Sequence, residues 1–89
     1  MKAVVTVTGK DNVGIIAGVS SICAEKGANI LDITQSVLGD FFAMIMLVDL
    51  SEATDSISEL AKECADLGRE IGMSIYIQHE DIFNAMHSI

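Results

Sequence analysis

Apolar residues recur along this chain with two different periods, and the switches between them set out an order of elements. The run Ala3-Val4-Val5-Thr6-Val7-Thr8 is strand-like. From Gly14 to Lys26, Ile15, Ile16, Val19, Ile22 and Cys23 fall within one arc of about 120° at 3.6 residues per turn, which predicts a helix. Gly27 stops it as the residue after the last turn. Ala28 to Leu38 then alternates Ile30, Asp32, Thr34 and Ser36 against Leu31, Ile33, Gln35 and Val37. One side of that strand is mostly polar, as expected at the edge of a sheet.

Gly39-Asp40 separates this strand from the next, Phe41 to Leu50, and glycine at the first central position predicts a two-residue type II′ hairpin. The spacing of Ser56 and Glu59 is that of a capping box and opens a second helix. Its apolar arc holds Ile57, Leu60, Ala61, Cys64, Leu67 and Ile71, and Gly72 ends it. Met73 to His79 alternates again and forms a last strand. The order strand, helix, strand, strand, helix, strand predicts an α+β, ferredoxin-like βαββαβ fold: a four-stranded antiparallel sheet with two helices on one face.

In that topology the first and third strands are central. Here the third is apolar on both faces, with Phe41, Ala43, Ile45 and Leu47 on one and Phe42, Met44, Met46 and Val48 on the other. The helices can cover only one of them. Leaving large apolar side chains wet forgoes ~1.5 to 3 kcal/mol each, so a second protomer is expected over the open face or a sheet edge, most simply in a C₂ homodimer. The segment after residue 80 is the other candidate cover. Residues 1–80 are expected to form the domain and 81–89 an amphipathic tail, a short C-terminal helix with Ile82, Phe83, Met86 and Ile89 on one side. It would pack on its own domain or on the partner, or dock a separate protein.

Composition narrows the partners. Thirteen acidic residues against five basic give a net charge of −8, which repels nucleic acid and anionic membrane. The longest apolar run, Phe41 to Val48, is far below the ~20 residues needed to cross a bilayer. No convincing signal-peptide core opens the chain, and a cytoplasmic location is expected. Cys23 and Cys64 each fall in a helix's apolar stripe and read as buried free thiols.

The chemistry-bearing segment is the glycine-bracketed turn from Gly9 to Ile16, where a strand feeds a helix. A helix start leaves unpaired amides and about half a unit of positive charge, enough to hold a carboxylate or phosphate. The turn has no cysteine or histidine for a metal and no arginine to grip a phosphoryl group, as an acylphosphatase-like enzyme would need. His79 and His87 lack the spacing of a helical zinc pair. No metal, cofactor or catalytic grouping is expected.

Two segments remain, Asp11-Asn12-Val13-Gly14-Ile15-Ile16 and Gly27-Ala28-Asn29-Ile30. Together they resemble the ACT domain, whose pattern is an Asp-x-x-Gly-Leu-Leu-like start of a helix followed by a Gly-x-Asn-Ile-like start of a strand. The resemblance covers residues 2 to 79. The tail looks like that of small stand-alone bacterial ACT proteins, distantly similar to the glycine-cleavage transcriptional repressors. It implies a non-enzymatic, allosteric sensor that dimerises side by side and binds an amino acid where the first loop of one protomer meets the second strand of its mate.

Carried over, Asp11 and Asn29 occupy the positions that contact the ligand, and the expected ligand-binding set is Asp11, Asn12, Val13, Gly14, Ile15, Asn29 and Ile30. Val13 departs from the proline often found before the glycine. Chemically, Asp11 or Asn29 can accept from an ammonium, and the amides of Val13 to Ile15 can donate to a carboxylate. The same residues also suit structural roles, Asp11 or Asn12 as a helix N-cap and Asn29 in a turn. The alternative function is a protein-interaction module whose ligand site is vestigial.

Overall fold

A computed structural model of the chain describes residues 1–10, 15–53 and 56–87. Seven elements follow one another: β1 (Lys2–Lys10), α1 (Ile15–Glu25), β2 (Asn29–Leu38), β3 (Phe41–Asp49), α2 (Ile57–Ile71), β4 (Ser74–His79) and α3 (Glu80–His87). The strands form one antiparallel sheet in the order β2-β3-β1-β4, with β1 and β3 central and β2 at an edge. This is the ferredoxin-like arrangement that the two periods predict.

Local chemistry accounts for the boundaries. Ser56 caps α2 in extended backbone, and its hydroxyl oxygen accepts from the Glu59 amide at 3.2 Å. Gly27 ends α1 with φ at +73°, and the Ala28 amide reaches back to the Cys23 carbonyl at 2.8 Å. A side chain there would collide as well, because a Cβ on Gly27 would lie 2.8 Å from the Glu52 carbonyl oxygen. In the β2–β3 hairpin Gly39 has φ at +64° and Asp40 does not share it, the sign pattern of a type II′ turn.

One face of the sheet carries the core. Val5, Val7, Phe42, Met44, Met46, Val48 and Ile75 pack against Ile15, Val19 and Cys23 of α1 and Leu60 and Cys64 of α2. Both thiols are free and buried. Two details differ from the simple periods. Leu31 forms a bulge, so Ile30 pairs with Val48 on the helix side while Asp32, Thr34 and Ser36 keep to the open face opposite Leu47, Ile45 and Ala43. Ile16, expected in the buried arc, is 39% exposed. It lies at the margin of that arc, on the flank it shares with Ser20 and Ala24 at helical spacing.

The open face is partly covered from within the chain. Gln78 stands across from Val4, and its amide donates to Met86 Sδ at 3.2 Å, so α3 lies on β1 and β4 on the side away from α1 and α2. His79 Nδ1 accepts the Asp81 amide at 3.0 Å and anchors the start of α3. Val4 is buried as a result, whereas Phe41, Ile45 and Tyr76 on the same face stay exposed. Among the described residues no helix is long and apolar enough to cross a membrane.

Candidate functional site

The C-terminal turn of α1, the start of β2 and the chain leaving β3 enclose an open groove of about 610 Å³. Ser20, Cys23 and Ala24 form one wall, Asn29 and Ile30 another, and Asp49, Ser51 and Glu52 the third. Gly27 lets the first and third walls approach closely, because a side chain there would meet the Glu52 carbonyl. Asn29 is exposed beside the groove, and Ile30 is half-buried against the sheet. The groove therefore contains the second of the two segments picked out from sequence.

Its electrostatics come from one built contact. Asp49 Oδ1 accepts from the Ser51 hydroxyl at 2.6 Å and from the Ser51 amide at 2.9 Å, an Asx-type turn that closes the end of β3. Those two hydrogen bonds, hydroxyl first, hold the Asp49 carboxyl below its ordinary value, aided by the positive charges of the Met1 ammonium and then of Lys2 on the neighbouring strand. Asp49 and Glu52 give the groove acidic side chains, and the Met1 ammonium, which donates to Ser51 Oγ at 3.4 Å, and Lys2 already stand beside Asp49.

Asp11, Asn12, Val13 and Gly14 lie outside the described residues. Ile15 opens α1 with its side chain in the core, 3% exposed, so only its backbone can serve a ligand. The register then separates the two expected halves of the site within one protomer. Asn29 pairs with Asp49 and Asp49 with Lys2 at one end of the sheet, whereas Leu38 pairs with Phe41 and Phe41 with Lys10 at the other. At about 3.3 Å per residue, the eight steps from Lys2 to Lys10 put Asn29 about 26 Å from the level at which β1 ends.

Sequence reasoning missed Asp49, Ser51 and Glu52. The available signal was an aspartate two residues ahead of a serine where an apolar strand stops, the signature of an Asx turn. Ser20 and Ala24 carried none, because small residues on a helix flank are ordinary.

The fold and the groove define a class, a small βαββαβ domain with a ligand-sized depression at the margin of its sheet. Comparison with known proteins narrows it: the ACT domain pattern matches residues 2–78, and the chain belongs to that family. A UPF0237 protein of Methanopyrus kandleri is 54% identical over 88 residues, which are 99% of this chain and 98% of that one. An ACT domain protein from Streptococcus pneumoniae superimposes with a TM-score of 0.80 at 44% identity, covering 98% of both chains. A putative glycine cleavage system transcriptional repressor shares the fold, with a TM-score of 0.74 at 24% identity over 89% of this chain and 47% of its own.

Proposed function

We propose that this chain is a non-enzymatic regulatory domain of the cytoplasm that binds a small amino acid between two copies of itself. The observation that carries the reading is the exposed edge formed by β2. Ile33 and Val37 point to the helix side of the sheet yet remain exposed, because α1 reaches only the start of β2, where Ile30 packs against the core, and leaves its later residues uncovered; Ile16 is exposed on α1. Two β2 edges paired antiparallel about a two-fold axis would cover that apolar strip and continue the sheet.

The same operation brings the separated halves together. Antiparallel pairing over the full length of β2 would set Asn29 of one copy opposite Leu38 of the other, level with Lys10, which Asp11 to Gly14 follow in the sequence. An amino acid there would give its ammonium to Asn29, Asp11 or the groove's Asp49, and its carboxylate to the first amides of α1, Ile15 among them. Ligand binding would bias assembly by its different affinity for the paired and unpaired states.

Calorimetric titration of the purified chain against the twenty amino acids tests this. The expected result is heat with one or a few of them, lost in Asn29→Ala and Asp11→Ala; no heat with any would overturn it.

Ile82 and Met86 of α3, 55% and 65% exposed, favour a second reading: an interaction module with a vestigial ligand site that docks a regulated protein through its tail. Removing residues 81–89 separates the two. Loss of a partner with ligand binding intact supports docking, whereas intact partner capture excludes it.

A further inference from the structure

α3 crosses one end of the sheet, and a contact that holds it there depends on a proton. The chain passes straight from β4 into α3, His79 being the last residue of the strand and Glu80 the first of the helix. His79 Nδ1 accepts the amide of Asp81, the second residue of that helix, at 3.0 Å, which is the bond an asparagine or aspartate oxygen makes in an ordinary N-cap. Imidazole differs from those caps in one respect. It changes charge between about pH 5 and 8, and only the neutral ring with its lone pair on Nδ1 can accept.

Protonation would turn that acceptor into a donor facing another donor. The nearest anion is the Asp81 carboxylate, with Oδ2 3.7 Å from Nδ1, but its side chain is 87% exposed and a pair so screened offsets little. Glu80 is the other acid in the first turn of α3, and His87 stands at its far end. The positive end of the helix itself disfavours an imidazolium. Across β1 the partner is uncharged Ala3, with Lys2 next to it. β4 returns along α2 from the contact of Gly68 with Met73 and Ile75, so at about 3.3 Å per strand residue and 1.5 Å per helix residue His79 comes level with the first turns of α2. The charged residues there are Glu59, whose Oε1 accepts the Ser56 hydroxyl, and Lys62. Among the described residues, none of these groups accepts the Asp81 amide in place of the ring.

The helix cannot do without its cap on its own account. Its eight residues fall well short of the ~12 to 15 at which isolated helices become stable, so it persists through the cap and its packing on the sheet together. That packing is modest: Gln78 donates to Met86 Sδ at 3.2 Å, Val4 is buried and Phe83 is half-buried, while Ile82 and Met86 stay exposed. We propose that α3 is a pH-released strap: the neutral ring of His79 caps it and holds it across β1 and β4, and protonation at Nδ1 removes the cap, frees α3 and bares Val4 together with the apolar side of the tail.

Solvent-exchange NMR on the full chain tests the proposal without reference to the ligand site. Protection factors of the Ile82 to Met86 amides divide out the intrinsic pH dependence of exchange. Loss of a cap shifts a helix equilibrium by roughly fivefold, so protection in the wild type is expected to fall by about that factor between about pH 7.5 and pH 5.5, in step with the His79 ring resonances. His79→Asn supplies an oxygen that caps without titrating, and should hold the high protection at both pH values; His79→Ala should show the low protection at both. Protection in the wild type that does not change with pH would overturn the proposal. So would an equal fall in His79→Asn, which would assign the response to His87 or to another group.

Discussion

Asn29 stands directly across the β2–β3 ladder from Asp49, at the end of the sheet where β1 begins rather than where it ends. On the proposed function, that relationship leaves the polar groove at the opposite end of the sheet from Lys10, where β1 ends. The proposed two-fold axis at the β2 edge would bring the two ends of the sheet level with one another, and the exposed Ile33 and Val37 beside it would give that pairing an apolar driving force.

Gly68, inside α2, is expected to reject even a methyl group. A Cβ there would lie 2.5 Å from the Met73 carbonyl oxygen, where the chain turns back from α2 into β4. Alanine raises helix propensity by about 1 kcal/mol. Displacing backbone from a tight helix–strand contact costs about 1–3 kcal/mol, so Gly68→Ala should be destabilising overall. A fall in the urea midpoint is the predicted result, and a rise would show that the two elements have room to part.

How much could be read without coordinates follows from particular residues. Strand order was legible because Ser56, Gly27 and Gly72 mark helix ends by local chemistry, the hydrophobic periods then give the order βαββαβ, and in that topology the first and third strands are central. The Leu31 bulge was not legible, since a single extra residue leaves the composition of the strand unchanged. Nor was the exposure of Ile16, because periodicity gives the direction of a side chain and not whether the neighbouring layer extends beneath it. The Asn29 half of the site could be picked out, as one residue of a turn; its companions Asp49 and Glu52 arrive from twenty residues away in sequence, through strand pairing alone.

Cys64 is expected to be inert in the folded chain. Burial, then the neighbouring Cys23 and Glu63, pushes its thiol up from 9.0 to about 11. As pH rises past 9 the unfolded chain ionises first, so stability falls through the window from 9 to 11, by up to roughly 2–3 kcal/mol. Native protein at pH 8 should react with a thiol reagent only as fast as it opens. Denaturation curves at pH 8 and pH 10.5 should show the loss, and Cys64→Ala should reduce it; equal stabilities in wild type would contradict the burial argument.

Ser51→Ala removes the hydroxyl that donates to Asp49 at 2.6 Å. The Asp49 carboxyl should then titrate closer to its ordinary 3.8, because the larger of the two contacts holding it down is gone. A depressed carboxyl stabilises the fold above its unfolded value and loses that contribution as pH falls through the folded one. The acid limb of the stability profile should therefore flatten in the variant. Carbon-detected NMR titration of the Asp49 side chain reads the shift directly, and an unchanged midpoint would mean that the turn is held by the Ser51 amide alone.

The central claim, that each ligand site is completed by two copies of the chain, is tested most directly by mixing two variants that cannot bind alone. Asn29→Ala and Asp11→Ala each spoil both sites of their own pair. After unfolding and refolding together in equal amounts, half the pairs are mixed, and every mixed pair regains one intact site, so binding capacity should return to about a quarter of wild type. Recovery near that level in calorimetry is the predicted result. No recovery, with mixed pairs shown to have formed, would place both residues in a site within one protomer and contradict the account.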